Sequence, residues 1–149
     1  MIGPFRYRVY WEDTDAGGVV YHARYLHFFE RARSDWLRAM GYPQSALQER
    51  ENRLFVVRRM RLDFIAPARL EDELAVVVGV EHLRAASLTF DQALLRGDDC
   101  LCRARVEVAC LRASDFRPVR LPANLRTAID GRLEPDETST PNRKESRQQ

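Results

Sequence analysis

Three features of this chain predict an α+β domain with one long helix lying on an antiparallel sheet. Five segments alternate apolar and polar residues with the two-residue period of a half-buried strand. One long segment near the N-terminus keeps a 3.6-residue apolar period instead. No second long helical run separates the last four strand segments, which argues against alternating βαβ units and a parallel sheet.

In chain order, residues 5–11 set Phe5, Tyr7, Val9 and Trp11 against Arg6, Arg8 and Tyr10, the pattern of a half-buried strand. A polar, glycine-containing turn follows. From about His22 to Met40, the residues Tyr25, Phe29, Ala32, Trp36 and Met40, with Leu26, Arg33 and Leu37 beside them, line one side of a helix that Gly41 and Pro43 stop. So aromatic a helix needs a wide apolar surface. The downstream strands supply it: Leu54, Val56, Met60, Leu62 and Phe64 in 54–65; Leu74, Val76, Val78 and Val80 in 73–82; Leu88, Phe90 and Leu94 in 87–96; and Cys100, Cys102, Ala104, Val106, Val108 and Cys110 in 100–111. The connections at Arg84–Ala86 and Gly97-Asp98-Asp99 are short enough for antiparallel hairpins. A short helical turn is expected after Pro122, through Ile129. Beyond Gly131 the only aliphatic residue is Leu133, so residues 1–130 read as the domain and 131–149 as a disordered tail.

At 149 residues the chain is one domain with room for a proper core. A formal net charge of +2 is too small to imply a nucleic-acid partner, and the basic residues scatter among acids. They are almost all arginine, with Lys144 the only lysine, which suits bidentate contacts to an anionic ligand. No apolar stretch approaches a membrane span, and the N-terminus lacks the layout of a secretory signal, so a cytoplasmic protein is expected. Cys100, Cys102 and Cys110 share one strand parity and read as core; neither a CxxC pair nor matching histidines suggests zinc.

The most informative stretch is YWEDTDAGGVVYHARY, residues 10–25. It places Asp15 seven residues, and Gly18 four, ahead of the expected helix start at His22. Gly17 and Gly18 permit a positive φ or the close approach of a substrate, while Asp13, Thr14 and Asp15 favour a turn. A carboxylate on such a turn can face the free N–H groups of a helix mouth, which attract developing negative charge. Base or nucleophile and oxyanion donor then come from one short segment, the layout of a small acyl-thioester active site; the alternative is an ordinary strand-to-helix loop in which Asp13 or Asp15 merely caps backbone groups. Asp13 reads as a turn-stabilising carboxylate. Glu30 pairs on the helix with Arg33, three residues on. His27 and His22 are too far apart in angle to form a metal pair. There is no GxSxG elbow and no cysteine near the turn, which argues against a serine or cysteine acyl-enzyme.

Four segments, RVYWEDTDAGGVVYHARYLHFFERARSDWLR at 8–38, FVVRRMRLDFIAPARLEDELAV at 55–76, RAASLTF at 84–90 and RPVRLPANLR at 117–126, resemble the hot-dog-fold acyl-CoA thioesterases. The likeness is to the 4-hydroxybenzoyl-CoA thioesterase-like branch, and within it to the Tol-Pal-associated YbgC-type members. It implies a five-stranded antiparallel sheet wrapped around the long helix, protomers paired edge to edge as dimers or tetramers, active sites at the dimer interface, and no cofactor. Asp15 matches the family's catalytic aspartate. The His22 N–H matches the donor that polarises the thioester carbonyl, and the His22 ring matches a histidine of the YbgC-type members. Where those members often carry a tyrosine four residues before the aspartate, this chain has Trp11, whose indole cannot exchange a proton as a phenol does.

Such a site hydrolyses a short-chain or aromatic acyl-CoA, with Asp15 either activating water or attacking to form an anhydride. Trp11, Tyr21 and Tyr25 either frame the acyl group or belong to the core. Arg84, with Ser87 after it in RAAS, either resembles a turn that meets nucleotide phosphates in related enzymes or is an exposed hairpin arginine. Arg58 stands on the apolar parity of its strand, to line the pocket or pair with an acid. Two other readings remain open at this level: a hot-dog hydratase or dehydratase on acyl thioesters, and a non-catalytic module binding acyl-CoA or acyl-carrier protein.

Overall fold

A computed structural model describes residues 2–132; the expected disorder of the C-terminal tail concerns residues that, from 133 on, lie outside this range. The strands are β1 (Ile2–Arg8), β2 (Arg53–Phe64), β3 (Glu73–Leu83), β4 (Ser87–Arg96) and β5 (Asp99–Arg112). They form one antiparallel sheet in the order β1-β3-β4-β5-β2, which leaves β1 and β2 at the edges. The long helix is α1 (Arg24–Ala39), followed by a short α2 (Gln44–Glu51); α3 (Ala123–Asp130) comes after the sheet.

The sheet wraps one apolar face onto α1. Tyr25, Phe28, Phe29, Ala32, Trp36 and Leu37 are buried along the helix at the spacing of a 3.6-residue repeat. Leu74, Val76 and Val78 of β3, Leu88, Phe90 and Leu94 of β4, and Cys102, Ala104, Val106, Val108 and Cys110 of β5 are buried beneath them. Trp36 meets Phe90 edge-on, centroids 5.2 Å apart, a favoured aromatic geometry. Both short connections are hairpins: β3 to β4 over three residues and β4 to β5 over two.

Several elements depart from the sequence reading. β1 spans Ile2–Arg8 instead of 5–11, because Val9 leaves the ladder to exchange backbone hydrogen bonds with Asp72 and Glu71 while Trp11 enters a 3₁₀ turn at Trp11–Asp13. The helix starts at Arg24, not His22, since His22 and Ala23 form the turn that precedes it. α2 was not expected: it buries only Leu47, too weak a stripe to show in the sequence. On β2, a bulge between Val57 and Arg59 inserts Arg58 as an extra residue. Phe55 and Val57 therefore stand opposite the core-facing Cys110 and Val108, and Leu54 and Val56 turn to the other face from Met60, Leu62 and Phe64. The bulge also accounts for Arg58 on an apolar parity: it is exposed, with Nη1 3.9 Å from Glu107.

One polar pair sits inside this core. Gln92, fully buried, donates from Nε2 to the Phe29 carbonyl at 3.0 Å and accepts from Arg33 Nη1 at 3.0 Å. Arg33 thus turns inward and does not pair with Glu30, which accepts from Ser34 Oγ at 3.4 Å. Burial lowers the Arg33 pKa to about 10, against the opposing pull of the Glu30 charge.

Candidate active site

The segment between β1 and α1 is fastened at both ends. Asp13 is 3% exposed. Its Oδ2 accepts the Tyr10 N–H at 2.9 Å, and its Oδ1 accepts Arg24 Nε and Nη2 at 3.0 and 2.8 Å. A buried carboxylate needs such partners to offset its lost hydration, and here they lock the 3₁₀ turn to the first residue of α1. That is the turn-stabilising role expected of Asp13. Arg24 was not expected as its partner, because nothing in the sequence marks a contact eleven residues apart.

Between these fastenings the chain makes a tight hairpin. Thr14 and Val20 bridge, Asp15 N–H donates to the Val19 carbonyl at 2.9 Å, and Gly18 N–H donates to the Asp15 carbonyl at 3.1 Å. Gly17 N–H donates to Asp15 Oδ1 at 2.8 Å, fixing the side chain while leaving the carboxylate exposed. Each glycine has its own reason. Gly18 adopts φ +75°, which a side chain disfavours, and a Cβ on Gly17 would come within 3.1 Å of Asp15 Oδ1. The hairpin is stitched to the chain ahead of β3 by Val20 N–H donating to the Ala68 carbonyl at 2.8 Å and by a Val19–Arg69 bridge.

The chain then turns into α1. Tyr21 N–H donates to the Asp13 carbonyl and Arg24 N–H to the Tyr21 carbonyl. No side chain caps the helix at Ala23; of the first N–H groups of α1, that of Arg24 goes to the Tyr21 carbonyl and that of Leu26 to the Ala23 carbonyl. His22 lies two residues ahead of the helix, exposed, its ring centroid 4.4 Å from that of Tyr21. Trp11 and Tyr21 are 76% and 47% exposed. Tyr25 is different. It is 3% exposed, its hydroxyl accepts the Ala68 N–H at 3.0 Å, and Phe64 meets its ring edge-on at 5.3 Å. Burial raises its pKa. Of the two roles open to Tyr25 in the sequence, this geometry is that of the core.

Arg84 and Ser87 close the β3–β4 hairpin, Arg84 N–H donating to the Ser87 carbonyl at 2.8 Å. The turn is held from outside: the Arg84 carbonyl accepts from Arg126 Nη1, the Ala85 carbonyl from Leu121 N–H and the Ala86 carbonyl from Cys110 N–H. Both side chains line a cavity of about 310 Å³, which the sequence did not reveal. The Asp15 hairpin and the Arg84 turn are not neighbours along the sheet. The first is tied to Ala68 and Arg69, ahead of β3, and the second follows the end of β3 at Leu83. The 11 residues of β3 lie between them, about 33 Å of strand at ~3.3 Å per residue.

Comparison with known proteins agrees with this architecture. Two curated relatives cover most of the chain. An acyl-CoA thioesterase YbgC from Haemophilus influenzae is 45% identical over 84% of this chain and 92% of its own. An acyl-CoA thioester hydrolase YbgC from Escherichia coli is 44% identical over 79% and 88%. Among solved structures, a probable thioesterase from Bartonella henselae superposes with a TM-score of 0.77 at 41% identity, covering 80% of this chain and 98% of that one. A 1,4-dihydroxy-2-naphthoyl-CoA thioesterase from Synechocystis gives 0.77 at 26% identity, covering 89% and 100%. These neighbours share the hot-dog arrangement of a five-stranded sheet around a long helix. With the model of the thioesterase-like superfamily matching residues 9–129, this chain belongs to that superfamily.

Proposed function

We propose that the protein is an acyl-CoA thioesterase that hydrolyses short-chain or aromatic acyl-CoA to the free acid and coenzyme A, with Asp15 as the reacting carboxylate. The observation that carries this reading is the Asp15 hairpin: an exposed carboxylate, aimed by the Gly17 N–H, in the turn that leads into a helix no side chain caps. A thioester is already susceptible to oxygen nucleophiles, so attack and a cradle for the oxyanion complete the reaction. With Oδ1 engaged by Gly17, the other carboxylate oxygen either takes a proton from water or attacks the carbonyl carbon. The N–H groups at His22 and the start of α1 receive the negative charge of the tetrahedral intermediate, and the protonated carboxyl or solvent supplies the proton to the departing thiolate. Where the carboxylate itself attacks, breaking of the C–S bond leaves an acyl–Asp15 anhydride, which water then cleaves to release the free acid and restore the carboxylate. Trp11 and Tyr21, both exposed beside the hairpin, frame the acyl group. The aromatic substrate named for the Synechocystis neighbour makes an aromatic acyl-CoA a natural first probe.

Arg84 and Ser87 hold the nucleotide phosphates in this reading. At about 33 Å from the Asp15 end of β3, they lie further off than an extended pantetheine arm reaches, so the phosphates of a thioester at Asp15 are met by Arg84 of a second copy. The protein is therefore a dimer, or a dimer of dimers, with a composite site. Exposed Trp11, Phe64 and Ile65 give it an apolar surface to bury. The reading places the enzyme in the cytoplasm, where its three free cysteines stay reduced. An acyl-carrier protein is the alternative donor of the thioester.

A thiol-release assay over acyl-CoAs of graded length, with an aromatic acyl-CoA included, tests the activity. Release that vanishes in Asp15→Asn is the expected result; release from no thioester, by a folded oligomer, overturns the reading.

A further inference from the structure

The cavity beside Arg84 runs across four strands on the sheet face turned away from α1. Arg59 of β2 pairs with Glu107 of β5, Glu107 with Thr89 of β4, and Thr89 with His82 of β3. Arg61 and Arg105 line it too, one register step along. Four guanidinium groups thus face one cavity against a single lining carboxylate, Glu107.

Most of these charges have partners. Arg105 pairs with Glu81 at 2.9 Å, Arg61 lies 3.6 Å from Asp63, and Glu107 is 3.9 Å from Arg58. His82 Nε2 lies 3.6 Å from Glu81. Arg59 and Arg84 are the exceptions: among the described residues neither guanidinium makes an ion pair or a hydrogen bond within the chain. They enter from opposite sides, β2 and β3 standing three strand spacings apart, about 14 Å at ~4.8 Å each. A ligand carrying two anionic groups and seated in the cavity between them would meet a guanidinium on each side. The hydroxyls of Ser87 and Thr89 lie along the floor as further donors.

We propose that this cavity reads two phosphate groups of one ligand, Arg84 holding one and Arg59 the other. Arg59 is then the residue that makes the enzyme prefer thioesters of a 3′-phosphorylated nucleotide carrier over thioesters on a bare pantetheine arm. The proposal rests on the acyl-CoA reading above for the identity of the carrier. Its geometry stands without that reading: a bounded cavity near the lower end of the ~300–1,000 Å³ range of small-ligand sites, with two uncommitted forked cations suited to phosphate oxygens.

The test uses the full chain with adenosine 3′,5′-bisphosphate as the probe, titrated calorimetrically at low salt, in the wild type, Arg59→Ala and Arg84→Ala. Each variant is expected to bind about tenfold more weakly, the loss of one charge-assisted contact, with an unchanged melting temperature because neither side chain supports the fold. In kinetics, Arg59→Ala raises KM for acyl-CoA with kcat retained, and the preference for acyl-CoA over acyl-pantetheine falls about tenfold. Acyl-dephospho-CoA, lacking the 3′-phosphate, shows little difference between wild type and Arg59→Ala. Unchanged bisphosphate affinity in Arg59→Ala, or equal affinity of the wild type for inorganic phosphate and the bisphosphate, overturns the proposal while leaving Asp15-dependent hydrolysis intact. Conversely, Arg59-dependent bisphosphate binding by a protein that hydrolyses no thioester upholds the cavity and removes the reaction assigned to Asp15.

Discussion

In the proposed reaction Asp15 is the reacting side chain, and its neighbours decide how it is presented. Asp15→Asn keeps the size of the group and still accepts the Gly17 N–H, so the fold survives, but an amide is neither base nor nucleophile. Turnover should fall by at least the ~10²–10⁴ associated with general base catalysis, with an unaltered melting curve. His22→Ala removes a ring that lies outside the helix and keeps the backbone N–H, so its loss should be smaller; equal losses in the two variants would transfer catalytic weight to the imidazole. Gly18→Ala tests the hairpin itself. At φ +75° a Cβ costs about 1 kcal/mol or more of strain, and relaxation of the turn re-aims Asp15. Turnover should drop more than stability does, which parallel thermal melts and thiol-release rates measure. The turn and its carboxylate were legible in the sequence because the contacts made by Asp15 itself, with Gly17, Gly18 and Val19, span at most four residues; its ties to Ala68 and Arg69 were not.

At the scale of elements, α1 and β4 are joined by the Arg33–Gln92–Phe29 link as well as by apolar packing. A charge in a core with only an amide opposite is costly unless its hydrogen bonds are kept. Arg33→Met or Gln92→Leu alone strands the other partner and should destabilise by about 1–3 kcal/mol. The double variant should be less damaged than the two losses added, a positive coupling that a denaturant double-mutant cycle measures. Additive losses would show that the pair contributes nothing beyond its volume. None of this was visible beforehand, since Gln92 sits 59 residues from Arg33 and the helical spacing pointed Arg33 to Glu30. The β2 bulge escaped for a related reason: a strand read alone shows a parity, and only its pairing with β5 shows where one residue is extra.

For the whole molecule, the edge strands and the exposed Trp11, Phe64 and Ile65 call for a second copy. Light scattering at micromolar concentration should give a dimer or tetramer; a monomer would remove the composite site. The buried thiols set a pH limit. Burial raises Cys110 to about 11 and Cys102 to about 12 from 9.0, so the unfolded chain releases these protons first. Their contribution to stability is whole below pH 9.0 and is lost as pH rises through those folded values. Tyr25, raised by burial from 10.0, acts in the same direction. Arg33, lowered to about 10 from 12.5, acts oppositely but only above its folded value. The melting temperature should therefore begin to decline as pH rises past about 9, where the unfolded thiols start to ionise ahead of the folded ones; a profile that stays flat there would show that Cys102 and Cys110 are not shielded.

Local periodicity and turn chemistry determined much of this protein by themselves. The length of α1, the alternation of β3 to β5, both hairpins and the Asp15-Gly17-Gly18 turn all depend on residues close together in the chain, whose preferences the backbone expresses wherever they lie. The resemblance carried in those same segments pointed to the family. Tertiary structure alone decided the rest. It took Tyr25 into the core by supplying the Ala68 N–H, moved the helix start to Arg24 through the Asp13 contact, and gathered Arg59 and Arg105 from two strands and Arg84 from a hairpin turn around one cavity. Each of these is a meeting of groups far apart in sequence, set by sheet order, register and one bulge, and no local pattern records which distant partner a polar side chain will find.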